Sequence, residues 1–247
     1  MDNRIKIIRD EERKYHEACY DNYKLFEEGS WLSKPVKTVM DTLTHFKSND
    51  NLTVLDLGCG VGRNSIPIAE SLKEHQTGQI VCVDIIESAL KKLVDYSEQN
   101  GVRPYIEPKL SDIGDYLIEE NYFDYIIAVS ALEHVESVPK FKQVLERMAR
   151  GTKENGINCI IMSTNIQEID VETGMELDPF MELNLTTNDA KQLLSSAYPD
   201  WEVTFTTLKA LQFNIERNGR EILLKSDCLT YVVQRIKENT IMIDSRS

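Results

Sequence analysis

Residues 52–65, Leu-Thr-Val-Leu-Asp-Leu-Gly-Cys-Gly-Val-Gly-Arg-Asn-Ser, constrain this chain more than any other stretch. Leu52 to Leu57 is an apolar run with β-branched members and Asp56 near its end, which predicts a buried strand. Gly58, Gly60 and Gly62 then alternate, and Ile66, Ala69 and Leu72 recur at helical spacing. Strand, glycine turn and helix open a nucleotide-binding βαβ unit, whose ligand sits beyond the strand end. Glycine is needed there because backbone passes close to a ligand or takes positive φ. The dinucleotide fingerprint G-x-G-x-x-G would put its third glycine at position 63. That position holds Arg63, and the third glycine comes one residue early, at Gly62. The fingerprint lays a pyrophosphate on the helix N-terminus, so a ligand without that group fits this turn better. The alternative is a tight strand–helix turn with no ligand at all.

Bulk properties narrow the choice. A chain of 247 residues with 41% hydrophobic composition suits one α/β domain with a full core. The net charge of −13 argues against a nucleic-acid partner, because phosphate contacts require a basic face. No apolar run approaches the roughly 20 residues of a membrane span, and the Ile5–Ile8 cluster is too short for a signal-peptide core. Cys19, Cys59, Cys82, Cys159 and Cys228 are scattered without paired spacing. They read as small buried hydrophobes in a reducing compartment rather than as a disulfide frame or zinc site. A cytoplasmic protein without a metal is the expectation.

In chain order, Glu11 to Glu28 predicts a helix carrying Tyr15, Cys19, Tyr23 and Phe26, stopped by Gly29. A second helix is expected from Ser33 as cap, with Pro35 in its first turn. After the glycine-turn helix, Thr77-Gly78 turns the chain into a second strand, Ile80 to Asp84. Asp84, at that strand's end and followed by Ile85, suits hydrogen bonding to the two hydroxyls of a ribose; a helix-capping aspartate is the plainer reading. Tyr105 to Leu110 is a weak third strand, placed at an edge by Pro104 and Pro108. Phe123 to Val129 is a fourth strand beside the first, so Ser130 and Ala131 fall at the topological switch point where ligands bind. Of the four histidines, His16, His45, His75 and His134, only His134 falls at that edge. Helices follow from Ser137 and Thr187, with a fifth strand over Ile157–Met162. The acid-rich 164–186 stretch has no clean period and reads as a lid or a solvated loop. Trp201–Leu208, Leu211–Ile215, Arg220–Leu224 and Leu229–Val233 read as strands around a type I′ hairpin signal, Asn218-Gly219. Residues 1–237 form one expected domain, 1–47 its cap, and 238–247 a tail.

The ordered set of Asp56, Gly58, Gly60, Gly62, Asp84, the acid Asp112, the Ser130 strand end and the closing hairpin resembles the class I S-adenosylmethionine (SAM)-dependent methyltransferases. The resemblance implies a Rossmann-like, doubly wound, mostly parallel α/β sheet ending in an antiparallel hairpin, with SAM as cofactor. It implies that Gly58, Cys59, Gly60 and Gly62 lie under the amino-acid part of SAM and that Asp56 holds its amino group. It also implies that Asp84 and Ile85 meet the ribose side, Asp112 accepts from the adenine amino group, and Ile113 packs the ring. The plainer reading of Asp112 is a loop aspartate capping a helix over Asp115–Glu119. Helices before the glycine turn often close over the site in this family, so Tyr20, Tyr23 or Trp31 could line it, against plain core packing. Gly62-Arg63-Asn64-Ser65 and Asp178-Pro179-Phe180-Met181-Glu182-Leu183-Asn184 more narrowly resemble the tellurite-resistance methyltransferase TehB group, associated with soft sulfur, selenium and tellurium acceptors.

The implied function is methyl transfer to a small-molecule acceptor by in-line displacement, in which orientation supplies about 7–11 kcal/mol in ideal cases. A soft anion needs no base; a hydroxyl or ammonium acceptor does, and His134 is the one candidate. Arg63 could hold an anionic acceptor or pair with a surface acid. A SAM-binding module without catalysis, a methyltransferase acting on a protein through N or O, and a nicotinamide oxidoreductase are the competing readings. Arg63 and the closing hairpin oppose the last of these.

Overall fold

A computed structural model describes residues 3–75, 77–217 and 219–236. Strand β1 (Asn51–Leu57) is buried at every position but its first, so it belongs at the centre of a sheet. It pairs in parallel with β2 (Thr77–Asp84) on one side and β4 (Phe123–Val129) on the other. β3 (Ile106–Leu110) is the edge beyond β2, a position that suits its Pro108, while Pro104 lies in the short turn before it. On the other side β5 (Thr152–Asp170) pairs in parallel with β4, and β8 (Arg220–Gln234) lies antiparallel between β5 and β7 (Glu202–Arg217). With the short β6 (Glu176–Leu177) on β5, the sheet has eight strands and the order β3-β2-β1-β4-β5-β8-β7. The order reverses between β1 and β4, which puts the ligand crevice beyond their carboxyl ends.

Apolar side chains alternate to the two faces and build two cores. One joins the sheet to α1 (Asn3–Asn22), α2 (Lys37–Leu43), α3 (Ser65–His75) and α4 (Glu87–Gln99), through Tyr20, Val39, Ile66, Leu72 and Leu93. The other joins it to α5 (Val138–Gly151) and α6 (Thr187–Ala197), through Phe141, Leu145, Met148 and Leu194. The doubly wound sheet with a closing hairpin is therefore as the sequence implies.

Several boundaries differ. α1 begins eight residues before Glu11, because Ile5 and Ile8 are buried and start its apolar face. It stops at Asn22 rather than near Gly29; the chain then turns through Phe26 at φ 67°, with the Leu25 N–H donating to the Tyr96 hydroxyl at 3.2 Å. The second helix starts at Lys37, and its entry is held by Asn64, whose Oδ1 accepts from the Val36 N–H at 3.0 Å. Ser33 does not cap it. Thr77-Gly78 is inside β2 rather than a turn, and α6 is capped by Thr186. No helix forms over Asp115–Glu119. β5 runs on to Asp170, pairing with β8 as far as Ile222, so 163–170 is strand and not loop. β7 and β8 are each one long strand where two short pieces were expected in each. Asn218 and the 238–247 tail lie outside the described residues. Among the described residues no helix is long and apolar enough to cross a membrane.

Candidate active site

The glycine turn is built by backbone. At the end of β1 the N–H groups of Gly58 and Cys59 both donate to the Val83 carbonyl, at 2.8 and 3.1 Å. Gly58 has φ +75°, and a Cβ there would lie 2.5 Å from Cβ of Ala131, so the turn and the β4 end are in contact. Gly60, at φ +54°, donates its N–H to Asp84 Oδ2 at 2.8 Å, while Asp84 Oδ1 accepts from the Ile86 N–H at 2.8 Å. Asp84 therefore joins the glycine turn to the entry of α4, whose N-cap is Ile86 and not Asp84 itself. Burial pushes its carboxyl up, against those amide hydrogen bonds. Ser130 bends the chain at φ 50° at the end of β4.

The remaining residues of the set make further contacts. Gly62 packs on Leu93 and Ile66, and the Cys59 side chain is buried in the same core, where burial raises its thiol well above the ordinary range. Asp56 is buried and takes the hydroxyl hydrogen bond of Ser65, the first residue of α3. Burial pushes its carboxyl up to about 7, over the opposing effect of that hydrogen bond. Asp112 accepts from the Gly114 N–H at 2.7 Å and pairs with Arg9 of α1 at 2.8 Å. Ile113 packs on the second core, and Ile85 stands half-exposed at the crevice rim.

α1 crosses this crevice. The Tyr20 hydroxyl would lie 2.9 Å from a Cβ at Gly60, and the buried Tyr20 ring is 6.2 Å from that of Trp31. Tyr23 and Trp31 are about 40% exposed, and Tyr23 packs on Gly29 instead. Arg63 Nε donates to the Lys34 carbonyl at 2.8 Å and its guanidinium lies over Trp31, with no acid as its partner among the described residues.

Beyond the β4 end lies a charged cluster that the sequence alone barely suggested. His134 Nδ1 is 3.0 Å from Glu182 Oε2. Burial works against its charge, but the Glu182 hydrogen bond and the carboxylates of Glu182, Glu133 and Glu12 outweigh it and lift His134 to about 9. In this arrangement the imidazole keeps its proton at neutral pH, unlike the near-neutral base that proton abstraction calls for. His16 also lies here, its ring 6.4 Å from that of His134, so His134 is not alone at the ligand edge. Burial and the neighbouring His134 charge push His16 down to about 4. Glu12, one turn before His16, is pushed up by burial despite His134 and Arg217. Arg9 reaches Glu182 at 3.6 Å as well as Asp112. Arg217 of β7 pairs with buried Glu168 and lies 4.7 Å over the Phe180 ring. The sequence singles out His134 by its strand end and Glu182 within the 178–184 stretch; for Glu12 and His16 the available signal is their i, i+4 spacing, and Arg9 and Arg217 are distant in sequence.

A family model described as "Methyltransferase domain" matches residues 48–202, more than half of the chain. The chain belongs to this family. Its members use SAM as methyl donor. Ubiquinone biosynthesis O-methyltransferases of Rickettsia canadensis and Rickettsia typhi are 27% and 25% identical to it over 47% and 70% of this chain, and the chain spans 45% and 69% of their own lengths. The solved structure of TehB from Haemophilus influenzae superposes with a TM-score of 0.57 at 24% identity, over 80% of this chain and 62% of that one, a likeness of fold. The methyltransferase crevice described above is therefore the place to look for cofactor and acceptor.

The site's residues fit SAM. Asp84 spends one lone pair of each carboxylate oxygen on the Gly60 and Ile86 amides, which leaves the others for ribose hydroxyls. Asp112 keeps acceptor capacity in the same way, and Ile85 and Ile113 offer apolar surface near it.

Proposed function

We propose that this chain transfers the methyl group of SAM to a small, polar acceptor held between α1, the β4 end and the 176–185 segment. The observation that carries this is the pairing of a glycine turn locked onto Asp84 with a charged cluster of Glu12, His134, Glu182 and Arg217 beyond the β4 end. Such a cluster suits a compact polar nucleophile. When bound, SAM supplies an already activated methyl group. The protein then has to hold the acceptor in line and exclude water. Asp84 and Asp112 would hold the nucleoside, Gly58, Gly60 and Ala131 would floor the amino-acid end, and Tyr20 would roof it. His134, fixed through Nδ1 by Glu182, would present its other nitrogen to the acceptor.

A soft thiolate, selenide or tellurium acceptor follows from the resemblance of the Asp178–Asn184 stretch to the TehB group. A hydroxyl acceptor is favoured instead by the names of the Rickettsia relatives. The test has two stages. Calorimetric titration with SAM and S-adenosylhomocysteine on wild type and Asp84→Ala should show binding that the variant weakens at least tenfold, about 1.4 kcal/mol. A screen of thiol, selenium, phenol and amine acceptors for S-adenosylhomocysteine production should then give turnover with a small polar acceptor. No binding of either ligand to wild type would overturn the reading, and binding without turnover on any acceptor would leave a SAM-binding module.

A further inference from the structure

Glu12 and His16 stand one helical turn apart on α1, on the face that meets His134. Each of the three residues offers one ligand-capable atom, and those atoms lie within 4.8 Å of one another. The ring nitrogens are supported unequally. Nδ1 of His134 is bonded to Glu182, the carboxylate–histidine arrangement that fixes a metal-binding imidazole, and an ion at Nε2 would take the place of the proton there. Nδ1 of His16 is buried and has no hydrogen-bond partner. His16 Nε2 lies 3.8 Å from Glu12 Oε2 and is the ring nitrogen turned to that carboxylate. The surroundings favour a cation: Glu12, Glu133, Glu168 and Glu182 gather around two guanidiniums, Arg9 and Arg217, and Oε2 of Glu133 is itself buried without a partner. The side chains of Glu12, His16 and His134 are 19%, 27% and 27% exposed, so an ion can enter from solvent.

We propose that Glu12, His16 and His134 form a binding site for a transition-metal dication of the zinc class, with Glu182 orienting His134. Two imidazoles and one carboxylate match zinc, cobalt or nickel rather than magnesium or calcium, which take oxygen donors. Bonds of about 2.0–2.2 Å place the donor atoms about 3–3.5 Å apart, so side-chain rotation must draw the three together by about 1 Å. Three protein ligands leave a fourth position open, the pattern of catalytic rather than structural sites. Resting on the methyltransferase reading, that position takes the acceptor's sulfur or oxygen, which the metal holds as an anion by drawing off its proton to solvent. His16 lies one turn from Tyr20, whose hydroxyl sits over Gly60, so the metal would be next to the cofactor floor.

The experiment uses the full chain after chelator treatment, titrated with Co²⁺ alone and followed by visible absorption, then with competing Zn²⁺ and Mg²⁺. One equivalent of Co²⁺ should bind with ligand-field bands and no thiolate charge-transfer band, and Zn²⁺ but not Mg²⁺ should displace it. His16→Ala and His134→Ala should each weaken binding at least 100-fold, and Glu182→Gln about 10-fold or more. On wild type, the imidazole NMR signals of His16 and His134 should shift with Zn²⁺ while those of His45 and His75 stay. The absence of stoichiometric binding, a thiolate band, or unchanged affinity in the His16→Ala/His134→Ala double variant would overturn the site. SAM titration of the same samples is a separate readout: its failure would unseat the methyltransferase reading and leave the metal result standing.

Discussion

Asp56 should make the fold less stable as pH rises, by a magnitude that the structure sets. It is fully enclosed between β1 and α3, with Ser65 as its hydrogen-bond partner, and burial moves its carboxyl from 3.8 to about 7, with Asp84 nearby adding to the rise. In the unfolded chain the same group ionises near its ordinary value. Between those two pH values the native state holds a proton that the unfolded state has lost, so stability falls as pH rises through the window. At about 1.4 kcal/mol per pH unit, the full window is worth on the order of 4 kcal/mol. Below about pH 4 both states are protonated and the penalty vanishes; above about pH 7 it is complete. Asp56→Asn keeps an oxygen to accept from Ser65 and has no proton to lose. Urea unfolding of both proteins at about pH 4, 5, 6, 7 and 8 isolates the effect, because all other titrating groups cancel in the difference. The variant should gain on wild type by about 4 kcal/mol across the series, with most of the change between pH 4 and 7. A difference that stays flat to within about 0.5 kcal/mol would refute the account and mean that Asp56 is ionised in the folded protein.

Three further outcomes follow from packing and charge. Gly58→Ala should cost about 2–5 kcal/mol by chemical denaturation, combining a left-handed backbone penalty of about 1–2 with a collision against Ala131. Adding Ala131→Gly should recover the collision and not the backbone part, and no recovery would mean the two residues are not in contact. Gly78→Ala should lower the melting temperature more than Gly58→Ala, because its Cβ would lie 2.2 Å from the Leu52 backbone carbonyl on the paired strand, where no side chain can yield. Arg217→Ala leaves Glu168, 2% exposed, with only the Phe180 N–H; since Arg217 is 21% exposed, a cost of about 3 kcal/mol is expected, with faster proteolysis over 171–181 and no change elsewhere.

How much of this was legible follows from sequence distance. The glycine-turn side of the crevice is made of backbone, and backbone demands leave local marks: glycines where φ is positive, an acid at the end of an apolar strand, a strand end at the switch point. Those marks correctly brought Gly58, Gly60, Asp84, Ser130 and Ala131 to one crevice. Where a glycine or cysteine of the motif turned inward instead, as Gly62 and Cys59 do, the same local pattern could not separate packing from contact. The charged cluster beyond the β4 end is made of side chains delivered from distant segments. Arg4 meets Asp178, His134 meets Glu182 and Arg217 meets Glu168, and no periodicity within one window registers such pairs.

The acid-rich stretch after the fifth strand shows the physical reason for the largest error. Glu168 and Asp170 carry charge into what alternation would call a solvated segment, yet they are 2% and 5% exposed. They are tolerated because β8 extends β5 and the adjoining β7 brings Arg217 to Glu168, while Arg220 of β8 itself stands 3.6 Å from Asp170. A charged residue can be internal to a sheet when its counter-ion is fixed on a neighbouring strand, and burial then demands that counter-ion. The same logic makes the arm a support for the site. Glu168 Oε1 also accepts from the Phe180 N–H, and Glu133 ties Ser163 through its side chain and Leu183 through its carbonyl. The segment that presents Glu182 to His134 is therefore held on one flank by the buried Glu168 carboxylate and on the other by the Glu133 backbone carbonyl. Opening of residues 176–185 would take Phe180 from the buried Glu168 carboxylate and Leu183 from the Glu133 carbonyl. By contrast α1 is tied through side chains, Arg4 to Asp178, Arg9 to Glu182, Glu12 to Arg217 and the roofing Tyr20, so motion is expected in α1 first.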